Sequence, residues 1–272
     1  MSFEPKSTQH AIVEAVVGLQ LAREVKPDEV NAIVADHDKF KEELPRLGRT
    51  TAIQFMLGGE APFSMPAGVQ VGGFTFDRFK ADGSLEWRLR VEGNNIFVNC
   101  LAYESWTKVW EKARNFIERV AGYLGDETAV AGMLLQYIDV FTWKAKNGKY
   151  DLSELFDKES ALIPANLWAH GELWHLHQGW YKDADLATAK RMLERIHVDG
   201  LQEENNPPMV KMDSWHSVEF KEPQPLKDSL KKGMDETFKY LHETNLGLMK
   251  SMLTKEMTKR IGLDESGDKP KG

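Results

Sequence analysis

Apolar and polar residues alternate one by one in several stretches of this chain, and this period of two constrains the fold more than any other feature. In the stretch 84–93, SLEWRLRVEG, the apolar residues Trp87, Leu89 and Val91 alternate with charged residues. Because successive side chains of a strand point to opposite faces, this pattern predicts a strand with one buried face and one face in water. Such half-wet strands are typical of antiparallel sheets.

Strand patterns recur in both halves of the sequence, at 11–22, 50–57, 69–79, 84–93, 95–103, 129–143, 167–181, 190–202 and 209–221. The tripeptide Gly93-Asn94-Asn95 predicts a hairpin turn. Helical patterns lie after Pro27, at 105–125 behind the N-cap residue Ser105, at 151–157, and at 225–263. In the last of these, a break is expected near Asn245-Leu246-Gly247.

The order of strand, helix, several strands and long helix thus occurs twice. We therefore predict an α+β fold with antiparallel sheets in two similar halves, each packed by a long helix. The halves are 1–126 and 127–263, and a flexible tail follows at 264–272. The apolar stripe of helix 105–125, which includes Trp110, Ala113 and Ile117, is predicted to face the sheet.

Composition and missing motifs exclude several functional classes. The net charge of −7 disfavours direct binding of nucleic acid, because phosphate binding needs a concentrated positive field. Cys100 is the single cysteine, so neither an intrachain disulfide nor a cysteine cage for zinc can form, and we expect it to be a small core residue. The motifs H-E-x-x-H, G-x-S-x-G and G-x-x-x-x-G-K-[ST] do not occur. Without a signal-like or membrane-spanning apolar run, the chain is expected to be cytoplasmic.

Three segments together resemble a known family. They are the opening SFEPKSTQHAIVEAVVGLQLAR, the middle strand LLQYIDVF, and the end LHETNLGLMKSMLTKEMTKRIGL. They are similar to an AIVEV-like strand, a RYIN-like strand and a final H-x-x-N helix with a threonine-led turn in the sporadically distributed prokaryotic family TIGR04255. Gln136 and Asp139 stand where that family commonly has arginine and asparagine. The resemblance spans nearly the whole chain, carries no reaction, and implies a defence-related setting.

The stretch HGELWHLHQGWY, residues 170–181, concentrates histidine and aromatic residues. If it is a strand, His175 and His177 project from one face, and Trp174, Leu176 and Trp180 face the core. Two such histidines are a low-probability metal site, because His216 has the opposite phase and cannot supply a third ligand in the same sheet. The favoured interpretation is that His175 and His177 face solvent, an anionic ligand or an acidic partner.

Two further features carry alternatives. Asp139 interrupts an apolar strand, and we expect an outward position or an ion pair with Arg88 or Arg90, with a cleft position of raised pKa as the alternative. In the terminal helix, Met249 and Met252 beside Lys250 are candidates for contact with a partner, because methionine adapts to variable surfaces.

These observations favour a non-enzymatic binding protein in a defence or toxin-control setting, with no cofactor. Its expected partner is another protein or a second copy of the chain, with a small anionic ligand as a further candidate and no membrane. The alternative is a small-molecule-binding protein or a metal-assisted enzyme that uses the 167–181 strand.

Overall fold

A computed structural model describes residues 2–7, 9–51, 71–144, 149–204 and 206–263. Ten strands lie in this part of the chain: β1 (Phe3–Pro5), β2 (Ile12–Leu21), β3 (Arg46–Thr51), β4 (Val71–Phe79), β5 (Leu85–Glu92), β6 (Asn95–Cys100), β7 (Ala129–Trp143), β8 (Trp174–Lys182), β9 (Ala189–Leu201) and β10 (Met209–Pro225). The sequence predicted all of the longer ones. The predicted strand at 50–57 begins earlier, at Arg46, and its residues beyond Thr51 lie outside the described ranges, as does the predicted tail at 264–272.

All ten strands join one antiparallel sheet in the order β3–β4–β5–β6–β2–β7–β10–β9–β8, with β1 paired to the far end of β7. The antiparallel α+β class is therefore confirmed. The predicted halves meet where β2 pairs with β7, from Ile12 opposite Asp139 to Leu21 opposite Val130. The strands on both sides of this junction belong to a single sheet.

The α-helices are α1 (Pro27–Ala35), α2 (Trp106–Ala121), the single turn α3 (Leu226–Asp228), α4 (Met234–Met252) and α5 (Lys255–Arg260). A π-helical turn, Ser229–Gly233, joins α3 to α4. The expected break near Asn245-Leu246-Gly247 is wrong, since α4 continues through these residues. The chain leaves the helix at Leu253, and Thr254 then caps α5 through a bond from the Met257 amide to its hydroxyl (3.2 Å).

The predicted strand 167–181 is only partly correct. Its first residues belong to a 3₁₀ turn, Ala165–Ala169, which follows Pro164, and β8 begins at Trp174. Proline fixes its own φ and favours a turn, which a pattern of apolar residues alone does not reveal. Elsewhere the local signals agree with the structure: Ser105 caps α2 by accepting a bond from the Lys108 amide, and Gly93 adopts a positive φ of 58° in the β5–β6 turn.

The helices lie on one face of the sheet and bury two apolar clusters. Cluster 1 joins α1, α2 and the first turns of α4 to the strands β2, β4, β5, β6 and β7. Cluster 2 joins the end of α4 and α5 to β1 and to parts of β7, β9 and β10. Because strand residues alternate in direction, the residues that these strands contribute to the clusters come largely from one phase, and those of the other phase point to the opposite face.

Helices α2 and α4 meet above the sheet. Their aromatic contacts are Trp110 with Phe238 (4.7 Å between ring centres) and Trp106 stacked on His242 (4.6 Å). Ala113 and Ile117 are buried, as predicted, whereas Trp110 is half-buried because its indole N–H donates to Asp235 (2.9 Å) at the edge of the interface.

The opposite face carries none of the described helices. Val16 in β2 and Leu134 in β7 point to this face, yet they are only 6% and 7% exposed and belong to neither cluster. Side chains of neighbouring strands must therefore close over them. We call this side the uncovered face. None of the described helices is long and apolar enough to cross a membrane.

Candidate functional site

A groove of about 630 Å³ runs across the uncovered face. Side chains from six neighbouring strands line it, including Gln20, Phe97, Leu134, Tyr181, Ser217 and Trp215. From β6 to β8 there are five strand intervals, so the groove extends about 24 Å along the sheet, at about 4.8 Å per interval. The groove therefore crosses the β2–β7 junction.

Gly18 shapes the floor of this groove. A Cβ atom at this position would lie 2.7 Å from Leu134 Cγ and 2.9 Å from the Phe97 ring. Because glycine has no side chain, Phe97 and Leu134 lean over β2 and shield its backbone. These side chains form an apolar floor on a sheet face that would otherwise be exposed to solvent.

Three arginine–aromatic pairs stand around this floor. The guanidinium of Arg90 lies 4.7 Å from the Phe97 ring centre, that of Arg191 lies 4.7 Å from the Tyr181 ring, and that of Arg195 lies 4.8 Å from the Trp215 ring. A cation at this distance from an aromatic face is attracted by the ring electrons. Each pair joins adjacent strands, so the aromatic side chains are held in place on the face.

The charges of the uncovered face are largely compensated. Glu219 accepts bonds from Arg191 (2.6 Å) and Lys190 (2.8 Å), and Glu92 lies 3.5 Å from Arg90. Asp213 accepts a bond from the Gln136 amide (2.8 Å). The groove thus offers aromatic surface and hydrogen-bonding groups with little net charge.

At the β8 end of this face, His175 and His177 are exposed, and Trp174, Leu176 and Trp180 pack against cluster 2. The alternation predicted for this strand is therefore confirmed. His177 stacks on His197 of β9 (5.3 Å between ring centres), and His197 Nε2 lies 3.0 Å from Asp199. In the described ranges no three His, Cys, Asp or Glu side chains are placed to hold a metal ion, so the low-probability metal site at His175 and His177 gains no third ligand there.

The partner contacts predicted in the terminal helix need correction. Met249 and Met252 are buried in cluster 2, because this side of α4 faces the sheet through its whole length. Lys250 lies on the exposed side of the helix. The two methionines therefore serve the core and offer no surface to a partner.

A layer of buried polar residues separates the two clusters. It contains Asp139 in β7, Glu194 in β9, Ser214 and His216 in β10, and Asn245 in α4. The Asn245 side-chain oxygen accepts bonds from the Ser214 hydroxyl (2.7 Å) and from His216 Nε2 (3.1 Å). The same layer anchors β8, since Glu194 accepts bonds from Trp180 Nε1 (2.6 Å) and Lys182 Nζ (2.8 Å).

His216 is the least satisfied member of this layer. Its Nδ1 has no hydrogen-bond partner among the described residues and faces Glu194 Oε1 at 3.8 Å. Burial lowers the pKa of His216, and the bond to Asn245 and the charge of Glu194 oppose this shift. The ring is therefore held neutral near pH 7, with its protonated nitrogen toward Asn245.

Asp139 contradicts the expectation of an outward position. It is 3% exposed, points to the covered face between Tyr137 and Phe141, and has no ion-pair partner in the part of the chain that the structure describes. Arg88 instead pairs with Asp77 (2.7 Å). Burial alone raises the pKa of Asp139 to about 7.

Cys100 is fully buried, as predicted, and burial raises the pKa of its thiol to about 11. The thiolate is therefore scarce at neutral pH, which argues against nucleophilic chemistry at this residue.

Comparison with family models, with curated proteins and with solved structures found no match for this chain. The geometry of the uncovered face therefore carries the functional argument. The sequence analysis did not single out the aromatic residues of the uncovered face. Phe97, Trp215 and Tyr181 all lie on the polar phase of their strands. Large aromatic side chains on the phase expected to face water are the signal that could have identified this surface.

Proposed function

We propose that this protein is a non-enzymatic binding protein that holds a partner protein in the groove of its uncovered sheet face. The observation that carries this proposal is the ring of three arginine–aromatic pairs around an apolar floor. Tryptophan, tyrosine and arginine are the residues that most often dominate the energy of protein interfaces.

The dimensions and charge of the groove favour a protein segment. The groove extends over about 24 Å of the sheet, which is more than the diameter of an α-helix with its side chains, about 10–12 Å. Compensated ion pairs at the rim surround aromatic and aliphatic residues at the centre, as in many protein interfaces. The net charge of −7 argues against a polyanion in this place.

Both predicted halves of the molecule would contribute to this site. Apart from the short β1, the first strand of each half pairs with the last one, β2 with β6 and β7 with β10, and a long helix follows the last strand. This common order supports two similar halves, each packed by a long helix, and the groove lies across their junction. Membership of the TIGR04255 family, the cytoplasm as location, and defence or toxin control as setting stay predictions.

A small molecule is the second candidate occupant. The volume of about 630 Å³ falls in the range of small-molecule sites, roughly 300–1,000 Å³. Gln20 and Ser217 bring an amide and a hydroxyl to the lining, and Trp215 and Phe97 bring ring faces. A ligand with an aromatic ring and little charge would suit these groups.

The test compares the wild-type protein with Trp215→Ala and Arg195→Ala, each immobilised and exposed to lysate of the source organism. The matched control is Lys250→Ala, which changes an exposed residue on the covered side. We expect one protein to bind stoichiometrically to the wild type and the control, and its affinity to fall about thirtyfold for Trp215→Ala, as for a typical hot spot.

Equal retention by all four proteins would place the interface elsewhere and overturn the proposal. If no protein is retained, but a small molecule is released on denaturing wild-type protein and not Trp215→Ala protein, the second candidate replaces the first.

A further inference from the structure

The edge strand β8 is open to pairing. It ends the sheet, and among the described strands it pairs only with β9, through nine consecutive residues without a register shift. Edge strands are usually protected by proline, by bulges or by charged residues in the middle of the strand. Between Trp174 and Lys182 there is no proline, and the one formal charge, on Lys182, stands at the end. The opposite edge strand, β3, has a register shift at Thr50/Thr51 and two arginines.

An exposed apolar side chain lies at each end of this edge strand. Leu173, just before β8, is 69% exposed, and Tyr181, near its end, is 62% exposed. They are two of the three large hydrophobic side chains that are exposed in the described ranges. Exposed apolar residues that are grouped around an open strand edge indicate a surface that another chain covers.

We propose that β8 pairs with the β8 strand of a second copy of this chain, antiparallel about His177. A two-fold dimer uses the same surface on both subunits, so each residue faces its mirror position in the other copy. With His177 at the axis, Leu173 faces Tyr181 of the second copy, and Trp174 faces Trp180. This register covers both exposed apolar side chains twice, once in each subunit.

The electrostatics favour the same register. Glu172 falls opposite Lys182 of the second copy, whose ammonium group also binds Glu194 of its own chain, and His175 falls opposite Gly179, which leaves room for the imidazole. No like charges face each other along the strand. Moving the axis by one residue, to Gln178, would place Leu173 opposite Asp183 and Tyr181 opposite His175, so the two exposed apolar side chains would no longer face each other. Opposite charges and aromatic pairs across strands stabilise a sheet, and like charges directly opposite destabilise it.

The dimer would extend the sheet and place Leu173 of the second copy beside Tyr181, at one end of the groove. The dimer shares Tyr181 with the groove, but His177 and Leu173, which the test changes, do not line the groove. Its failure and that of the proposed function are therefore separate outcomes.

The test measures oligomeric state by sedimentation velocity over a wide range of concentrations, using the full chain. Wild-type protein is expected to dimerise reversibly. His177→Glu and His177→Lys each place two like charges at the axis, and we expect each to raise the dimer Kd about tenfold or more. A mixture of the two variants pairs Glu with Lys, and we expect it to form heterodimers at wild-type concentrations. Lys250→Glu serves as the control and should dimerise as the wild type does.

A wild-type protein that stays monomeric at all concentrations would overturn the proposal. So would a dimer that both His177 variants form unchanged, or a mixture that does not recover. Circular dichroism checks that the variants fold. Leu173→Lys, which lies outside the strand, gives a second disruption that does not alter β8 and should also weaken the dimer.

Discussion

A carboxyl group buried in the middle of β7 should make the stability of this protein depend on pH. Burial raises the pKa of Asp139 from 3.8 to about 7. The folded chain thus holds this proton more tightly than the unfolded chain does. The resulting contribution to stability is fully present below the unfolded pKa and is lost as pH rises through the folded pKa, between about 4 and 7.

We therefore expect Asp139→Asn, which resembles the protonated side chain, to be more stable than the wild type at pH 8, by a few kcal/mol at most. At pH 4 the two proteins should have nearly equal stability. Urea unfolding at both pH values measures the difference. Parallel behaviour of the two proteins across this range would show that Asp139 titrates normally.

At the level of single residues, the sequence predicts which residues of a strand share a face better than it predicts which face is buried. Asp139 shares its phase with Tyr137 and Phe141, which are both buried. The neighbouring Leu134 and Leu135 are apolar on both phases, so the pattern of β7 alone does not show which face is covered. Because burial of a charged carboxylate is costly, the sequence favoured an outward position for Asp139. The structure buries it instead, where the raised pKa favours the neutral carboxyl group.

Among the elements, α4 makes a buried polar contact with the sheet through Asn245. Asn245 accepts the hydrogen bonds of Ser214 and His216, which are both buried under the helix. Asn245→Ala would leave these two donors without an acceptor, at a cost of about 1–3 kcal/mol for each buried group. We expect a clear fall in the free energy of unfolding, measured in urea. Unchanged stability would mean that water or a neighbouring group replaces the amide.

The same helix offers a change of opposite sign. Gly247 is exposed within α4, and a Cβ atom added there meets no other atom within 4 Å. Glycine inside a helix costs about 1 kcal/mol relative to alanine. Gly247→Ala should therefore stabilise the protein by up to about this amount in the same urea experiment. Destabilisation would support the break that the sequence predicted at this position.

Elements with strong periodicity and clear caps were predictable, and those shaped by turns were not. Helix α2 follows from its apolar stripe and from Ser105, and β5 follows from strict alternation. Gly247 predicted a break because glycine is less favourable than alanine inside a helix. The burial of Leu248, Met249 and Met252 in cluster 2 outweighs this effect. The groove could not be predicted, because it is lined by six strands whose order in the sheet the sequence does not show.

For the whole molecule, the open question is whether the two predicted halves unfold separately. The sheet is continuous across β2 and β7, and cluster 1 contains residues of both halves, such as Ile117 from α2 and Phe238 from α4. Cluster 2 lies almost entirely in the second half and includes the fully buried Phe156. Separate domains would unfold in two steps, whereas a shared sheet and a shared core predict one cooperative step.

We expect Ile117→Ala and Phe156→Ala each to lower the free energy of unfolding by about 2–5 kcal/mol and to move one common transition to lower urea concentration, because both side chains are fully buried. Tryptophan fluorescence and far-ultraviolet circular dichroism should give coincident urea curves for the wild type and for both variants. If Ile117→Ala moves only an early step and Phe156→Ala only a late one, the halves are independent domains. In that case the groove across their junction would be held by the β2–β7 pairing alone, and occupancy by a partner should then merge the two steps, since a ligand stabilises the state that binds it.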